Sequence, residues 1–277
     1  MDSINIGCFG DIVGITGRTM FQKHSALLQK KYQLDGIIVN GENCSSTGRG
    51  ITTKNVQFLQ KNGASIITSG NHIFQNKDIY AYLDQKKDLL RPANFPSAAP
   101  GTGAAFFNTA HGVTVGVINV QGRVFMRELL SCPFKAVESL IPFVKQKTDI
   151  IFIDIHAETT AEKMGLAHYV TGKVSAVFGT HTHVQTADHR ILPGGTAFIT
   201  DLGMIGSLNG MLGMKKDSVV NQFVTQMPSK FEVDTTVPAV LSGVVVTVDI
   251  KTGKAIGIES VRVIENDLVV DAEGKNE

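Results

Sequence analysis

The segment Phe178-Gly179-Thr180-His181-Thr182-His183 is the stretch from which the fold and chemistry of this chain can be worked out. It continues a short apolar run, Val174 to Phe178, that predicts a buried strand. Two imidazoles therefore leave the C-terminal end of a strand, two residues apart. Residues i and i+2 of an extended segment point to the same side, and neutral imidazole is the commonest metal ligand. The pair could bind one metal ion or two, although loop histidines are also typical of ordinary polar surface.

Length and charge limit the class of protein. The chain has 277 residues, 43% of them hydrophobic, which predicts a single globular domain over residues 1–277. Lys and Arg total 26 against 25 Asp and Glu, so a small molecule is a better expected partner than a long nucleic acid or an anionic membrane. We expect residues 1–270 to be ordered and the polar stretch from Asp271 to Glu277 to fray.

The N-terminus and the cysteines predict a compartment. Met1 to Ile6 has no basic segment followed by an apolar one, and no run approaches the roughly 18 apolar residues of a transmembrane helix. Three scattered cysteines argue against a disulfide framework. We therefore predict a cytoplasmic protein. A symmetric homo-oligomer is left open.

Apolar runs alternate with amphipathic stretches in the first third of the chain. Ile4 to Phe9, Gly36 to Asn40 and Ser65 to Ser69 are predicted strands. Helices are predicted over 17–31 and after a cap at Thr52 or Thr53, and this βαβ spacing implies a parallel sheet. The rest of the chain is predicted to add helices at about 133–144, 160–170 and 215–225 and strands at 104–108, 113–119, 149–155, 174–178, 190–192, 196–200, 238–250 and 255–264.

Metal-competent side chains lie just beyond the ends of five predicted strands. They are Asp11, Glu42, Asn71 with His72, His156, and His181 with His183. In open α/β sheets this edge is where ligands bind. Taken singly, a carboxylate there can cap a helix and a histidine can be an ordinary polar group. Together they predict a site for divalent iron, manganese or zinc, and the absence of thiolates argues against a structural zinc site.

So many ligands suit two metal ions, about 3.5–4 Å apart, that share a carboxylate and a bridging hydroxide. Two cations at that distance favour a substrate with adjacent anionic oxygens, such as a phosphate ester. The hydroxide would attack phosphorus in line, and an acid must protonate the departing alkoxide. His72 is the candidate acid, because it neighbours a predicted ligand without needing to be one.

The order of these motifs resembles the calcineurin-like metallophosphoesterases, and more closely their bacterial YmdB-like branch, whose activity is 2′,3′-cyclic-nucleotide phosphodiesterase. The resemblance covers nearly the whole chain and rests on Gly41-Glu42-Asn43, on residues 120–126 (VQGRVFM), 155–158 (IHAE) and 183–188 (HVQTAD), and on residues 199–204 (ITDLGM). It implies an α/β fold, a four-layer α/β/β/α sandwich of two central mixed sheets flanked by helices.

Three positions depart from the wider superfamily. Val13 stands where its first motif has a histidine, Glu42 where its second has an aspartate, and Ile73 where its third adds an acid. The YmdB-like branch shares the first two differences, and in it Asn43 compensates for the missing histidine through its amide oxygen. The resemblance thus implies Glu42 as the bridging ligand of two metals, one held by Asp11, Asn43 and His183, the other by Asn71, His156 and His181.

Other polar groups lie on predicted loops. Arg123 could contact a phosphate or be a solvated arginine, and Arg49 and His189 are further positive or switchable groups. Asp201 and Glu158 could orient ligand histidines or only cap their segments. Gly101 and Gly103 follow prolines and not a strand, so they do not form a dinucleotide-binding fingerprint.

The sequence therefore predicts a dimetal phosphodiesterase for small cyclic nucleotides such as 2′,3′-cyclic AMP. One alternative is a phosphomonoesterase that uses the same site. The other is a non-catalytic regulator that senses a nucleotide or docks a partner through an intact metal site. The second alternative does not explain His72, because binding alone would not require an acid.

Overall fold

Strands and helices alternate along the computed structural model, which describes residues 2–270. Within that range the strands are β1 (Ser3–Phe9), β2 (Asp11–Ile12), β3 (Gly36–Asn40), β4 (Ile66–Thr68), β5 (Ala104–Asn108), β6 (Thr114–Gln121), β7 (Ile151–His156), β8 (Ala176–Thr180), β9 (Arg190–Leu192), β10 (Thr196–Ile199), β11 (Met204–Ser207), β12 (Ala239–Asp249) and β13 (Ala255–Glu265). The helices are α1 (Gly14–Tyr32), α2 (Thr53–Lys61), α3 (Ile79–Gln85), α4 (Pro133–Lys145), α5 (Thr160–Val170) and α6 (Lys216–Thr225). The predicted fraying of 271–277 concerns residues outside the described range.

The strands form two mixed sheets. The seven-stranded sheet has the order β2-β11-β12-β1-β3-β4, with β13 paired to β12. The six-stranded sheet has the order β5-β6-β7-β8-β10-β9. The predicted βαβ units are present, since β1, β3 and β4 are parallel. The long strand β12 pairs antiparallel to β1 and makes the first sheet mixed.

The three largest hydrophobic cores of the described residues separate four layers. Side chains of alternate residues in β1 show the arrangement, because Ile4 and Ile6 enter the core between the two sheets while Phe9 enters the core beneath α1. The central core also takes Phe152 from the six-stranded sheet, and the third core packs α4 and α5 on the outer face of that sheet. The predicted α/β/β/α sandwich is confirmed.

Some boundaries differ from the sequence-based expectations. The first helix begins at Gly14 instead of residue 17, and Asp11 lies in the short strand β2 and not in a loop. His156 is the last residue of β7 instead of the first residue beyond it. The strand β11 and the helix α3 are additional elements. No helix in residues 2–270 has an apolar stretch long enough to cross a membrane.

Candidate metal centre

The predicted ligands lie at the ends of strands from both sheets. They are Asp11 at the start of β2, Glu42 and Asn43 after β3, Asn71 after β4, His156 at the end of β7, and His181 and His183 after β8. Parallel strands bring their carboxyl ends to the same edge of a sheet. The two edges meet here.

Three predicted ligands surround the imidazole of His156. Its Nε2 atom lies 3.0 Å from Oε1 of Glu42, 3.0 Å from Oδ1 of Asn71 and 3.0 Å from Nδ1 of His181. The ligand atoms of Glu42, His156 and His181 all lie within 4.8 Å of one another. A single N–H group at Nε2 of His156 can form one good hydrogen bond and cannot satisfy all three neighbouring atoms. Carboxylate, amide and imidazole donors that converge in this way fit a divalent cation.

The other predicted ligands, Asp11, Asn43 and His183, are the second group. Oδ1 of Asp11 lies 3.8 Å from Nε2 of His183 and 4.0 Å from Nδ1 of His156. Oδ1 of Asp11 and Oδ1 of Asn43 are buried without a hydrogen-bond partner among the described residues. Leaving a buried oxygen unpaired costs about 1–3 kcal/mol, and a bound cation would remove that cost. This group therefore also fits a metal ion.

Burial and neighbouring charges shift the pKa values of these groups. Burial opposes ionisation of both Glu42 and His156, but their mutual contact outweighs it and moves the pKa of Glu42 to about 2 and that of His156 to about 9. Burial raises the pKa of Asp11 to about 6, and burial beside His156 lowers the pKa of His181 to about 3. The contact with His156 thus favours the ionised form of Glu42 and its negative charge. A divalent cation would balance the same charge and would leave the imidazole neutral, as ligation requires.

A chain of hydrogen bonds fixes the ring of His156. Its Nδ1 lies 2.9 Å from the hydroxyl oxygen of Thr180, which donates to Oδ1 of Asp154 at 2.8 Å. Oδ2 of Asp154 accepts a hydrogen bond from Thr68 at 2.5 Å. These contacts leave Nε2 of His156 directed at the other predicted ligands. Asp154 and Thr180 were not predicted as site residues, although a carboxylate inside an otherwise apolar strand was a usable signal.

The loop that carries His181 and His183 has a strained backbone. The φ angles are 98° at His181 and 65° at His183, in the left-handed region that non-glycine residues rarely adopt. Oδ2 of Asp201 accepts the Thr182 N–H at 3.2 Å and its hydroxyl at 2.8 Å, and it contacts Nζ of Lys163 at 2.6 Å. The Asp201 carboxylate thus holds the residue between the two histidines. Lys163 was not predicted from the sequence, and its position on the apolar face of α5 was the available signal.

A cavity of about 390 Å³ opens beside these groups. His72 lines it, together with Glu42, Asn43, His181 and His183. The His72 N–H donates to Oε2 of Glu42 at 3.0 Å, and its Nδ1 is buried without a partner in the described part of the chain. Burial lowers the pKa of His72, an effect that the Glu42 charge opposes. The candidate acid is therefore held next to the carboxylate that contacts His156.

The remaining predicted polar groups have different positions. Arg49 lines the cavity, whereas Arg123 is exposed and, like His189, is not part of the cavity lining. The phosphate contact of Arg123 stays a prediction. Oε2 of Glu158 lies 3.1 Å from Nε2 of His181, which leaves Nδ1 of that histidine facing the first group.

The fold has two mixed sheets flanked by helices, and carboxylate, amide and imidazole donors meet at their strand ends. This arrangement is that of the metallophosphoesterases, which are metal-dependent phosphoesterases. A family model described as YmdB-like protein matches residues 8–261. The chain belongs to this YmdB-like family, as the sequence motifs predicted.

Known relatives cover almost the whole chain. The 2′,3′-cyclic-nucleotide 2′-phosphodiesterase of Bacillus subtilis (strain 168) is 45% identical over 258 residues, which are 93% of this chain and 96% of that protein. The crystal structure of a phosphatase from Mycoplasma pneumoniae has a TM-score of 0.88 at 37% identity, covering 96% of this chain and 95% of its own. A hypothetical protein from Thermus thermophilus has a TM-score of 0.87 at 32% identity, with coverage of 95% and 100%.

Proposed function

We propose that this chain is a dinuclear metal-dependent phosphodiesterase that hydrolyses 2′,3′-cyclic nucleotides such as 2′,3′-cyclic AMP. The identity of 45% with the Bacillus subtilis 2′,3′-cyclic-nucleotide 2′-phosphodiesterase supports this substrate class. A cyclic phosphate offers adjacent anionic oxygens to a pair of cations and a ribose oxygen as the leaving group. Cytoplasmic location and homo-oligomerisation stay predictions.

The proposal gives each of seven side chains a role. Asp11, Asn43 and His183 would hold one metal, Asn71, His156 and His181 would hold the other, and Glu42 would be shared by both. The observation that carries the proposal is the convergence of Glu42, Asn71 and His181 at 3.0 Å from Nε2 of His156. Iron or manganese is the proposed metal, with zinc as an alternative, because imidazoles combined with carboxylate and amide oxygens suit all three.

When bound, the metals supply Lewis-acid charge for the phosphoryl oxygens and lower the pKa of the water that attacks phosphorus. The protein supplies position and a proton. The hydrogen bond from the His72 backbone to Glu42 keeps the proposed acid at a fixed place beside the bridging carboxylate. The His72 imidazole would protonate the departing 2′-oxygen, and Arg49 on the cavity wall would add positive charge beside the phosphate.

Metal-stripped protein reloaded with iron, manganese or zinc tests the proposal. Reloaded wild-type protein is expected to convert 2′,3′-cyclic AMP to adenosine 3′-monophosphate. Glu42→Gln is expected to lose bound metal and turnover, because it keeps the shape of the bridging side chain and removes its charge. Glu138→Gln, which changes an exposed carboxylate on α4, is the control and should behave as wild type. Wild-type protein that holds two metals and hydrolyses no cyclic nucleotide would contradict the substrate assignment.

A phosphomonoesterase activity at the same site is a second candidate. The Mycoplasma pneumoniae structure at 37% identity is described as a phosphatase. Comparing adenosine 3′-monophosphate with 2′,3′-cyclic AMP at matched metal loading separates the two candidates. Continued release of inorganic phosphate from the monoester would favour the phosphomonoesterase.

A further inference from the structure

The cavity beside the predicted metal ligands also has an apolar wall. The apolar wall consists of Met211, Leu212, Met214, Val219, Phe223 and Phe231, all from the connection between β11 and β12. The cavity volume, about 390 Å³, lies within the ~300–1,000 Å³ that small-molecule sites have. A phosphate group would bind unfavourably against such a wall, because an anion loses hydration beside hydrocarbon. The apolar wall therefore suits another part of a substrate.

The helix α6 lines this cavity and contributes no residue to the hydrophobic cores of residues 2–270. None of its residues is buried, and the side chain of Phe223 is 67% exposed. Most of the stability of a helix in a protein comes from packing its apolar face, and exposed apolar side chains beside a cavity mark a binding surface. A ligand in the cavity would cover part of the apolar surface that α6 leaves exposed.

We propose that the apolar wall binds the base of the nucleotide, with Phe223 as the main specificity-determining residue. This inference rests on the proposed function and extends it from the reacting phosphate to the base. A phosphate held at the metal ligands leaves the nucleoside in the remainder of the same cavity. The faces of a base stack on aromatic rings and pack against methionine thioethers. Gln222, which also lines the cavity, offers an amide donor and acceptor to the edge of the base.

Two cyclic diesters test this inference, 2′,3′-cyclic AMP and glycerol 1,2-cyclic phosphate, which has the same reacting group and no base. Phe223→Ala is expected to raise KM for 2′,3′-cyclic AMP about ten-fold and to change kcat by less than about two-fold. The reason is that stacking on the base is lost in the bound substrate and in the transition state alike. Both constants for the glycerol compound should stay unchanged. Phe223→Tyr, which keeps the ring, should restore KM. Val224→Ala, on the same helix but outside the cavity lining, is the control.

Several outcomes would overturn the inference. One is an equal effect of Phe223→Ala on both diesters, and another is no effect on either. A lower mass of Phe223→Ala in sedimentation, with KM unchanged, would mean that the apolar wall contacts a second copy of the chain instead of a base.

Calorimetry separates this inference from the proposed function. Adenosine 3′-monophosphate and glycerol phosphate are titrated into metal-loaded wild-type protein and Phe223→Ala. If the wild type hydrolyses neither diester, the proposed function fails. The base site is still supported if Phe223→Ala binds adenosine 3′-monophosphate about ten-fold more weakly than the wild type and binds glycerol phosphate equally well. Equal affinity of the two proteins for adenosine 3′-monophosphate overturns it.

Discussion

His156 is the residue around which the candidate metal centre is built. Its ring contacts Glu42, Asn71 and His181 through Nε2 at 3.0 Å and Thr180 through Nδ1 at 2.9 Å. The side chain is fully buried, so surrounding atoms prevent the ring from moving away from these neighbours. Small displacements of this ring are expected to affect metal binding more than displacements of the half-buried histidines His181 and His183.

Gly70→Ala tests how closely the backbone approaches this ring. A Cβ atom at residue 70 would collide with the His156 imidazole, so the variant is expected to displace the ring and lose bound metal. Gly165→Ala is the matched control, since its Cβ would meet only Phe134 at 3.5 Å. That control lies inside α5 and should gain about 0.5–1 kcal/mol of stability. Elemental analysis of both variants decides the matter, and normal metal content in Gly70→Ala would contradict the close contact.

His72→Ala separates proton transfer from metal binding. We expect kcat on 2′,3′-cyclic AMP to fall by about 10²–10⁴, the usual contribution of a positioned acid. The contact of residue 72 with Glu42 is made by the backbone N–H, so metal content should stay at the wild-type level. Steady-state kinetics with parallel metal analysis checks both expectations, and an unchanged kcat would remove His72 from the mechanism.

The candidate ligands could be predicted from the sequence because each lies at or just beyond the end of an apolar strand, and the order of the motifs matched a known family. Of the groups that support them, Asp201 and Glu158 were predicted, whereas Asp154, Thr180 and Lys163 were not. Asp154 and Thr180 lie within strands, where a polar residue has no fixed meaning until its cross-sheet neighbours are known. Lys163 is separated from Asp201 by 38 residues, and no spacing rule joins such a pair.

At the scale of elements, α5 supports the histidine loop that follows β8. Lys163 extends from α5 to Asp201, which holds Thr182 between the two histidines. Both charged side chains are 1% exposed. A buried ion pair of this kind restricts geometry more than it adds stability, and removal of one partner leaves an unpaired buried charge.

Lys163→Met is therefore expected to reduce the free energy of unfolding by about 3–5 kcal/mol. The double variant Lys163→Met with Asp201→Asn should lose less than the sum of the two single variants, because the charge that was left unpaired is gone. Urea denaturation measures all three. Lys135→Met breaks an exposed pair with Glu138 and should have no measurable effect. Additive losses in the double variant would contradict the coupling.

Long, strongly patterned elements were predictable, whereas the short elements β2, β11 and α3 were not. The helix over 160–170 coincides with α5, and the strands predicted over 238–250 and 255–264 correspond to β12 and β13. By contrast β2 has two residues and β11 has four, and they are strands because β2 pairs with β11 and β11 pairs with β12. In α3 the buried residues are only Ile79 and Leu83, too few to establish a helical period.

The whole molecule brings the ligands together from two sheets. Asp11, Glu42 and Asn71 belong to the seven-stranded sheet, and His156, His181 and His183 belong to the six-stranded sheet. Asp154 joins the sheets below the site, since it accepts hydrogen bonds from Thr68 at 2.5 Å and from Asn40 at 3.3 Å. Metal binding at this junction would hold the two sheets together as well as prepare the site for catalysis.

Metal loading is expected to stabilise the folded chain. A ligand present at about 100 times its Kd adds about 2.7 kcal/mol for one site, which corresponds to a rise in Tm of roughly 5–10 °C for a chain of this size. Thermal unfolding with and without manganese measures the rise. Glu42→Gln should show little of it, and an equal rise in that variant would mean that the metal stabilises the chain from another position.

Anomalous diffraction from crystals of the manganese- or iron-loaded protein is the most direct test of the dinuclear site. Two peaks are expected, about 3.5–4 Å apart, one among Asp11, Asn43 and His183 and the other among Asn71, His156 and His181, with Glu42 between them. A map of fully loaded protein with no peak at this junction of the two sheets would contradict the site and the phosphodiesterase built on it.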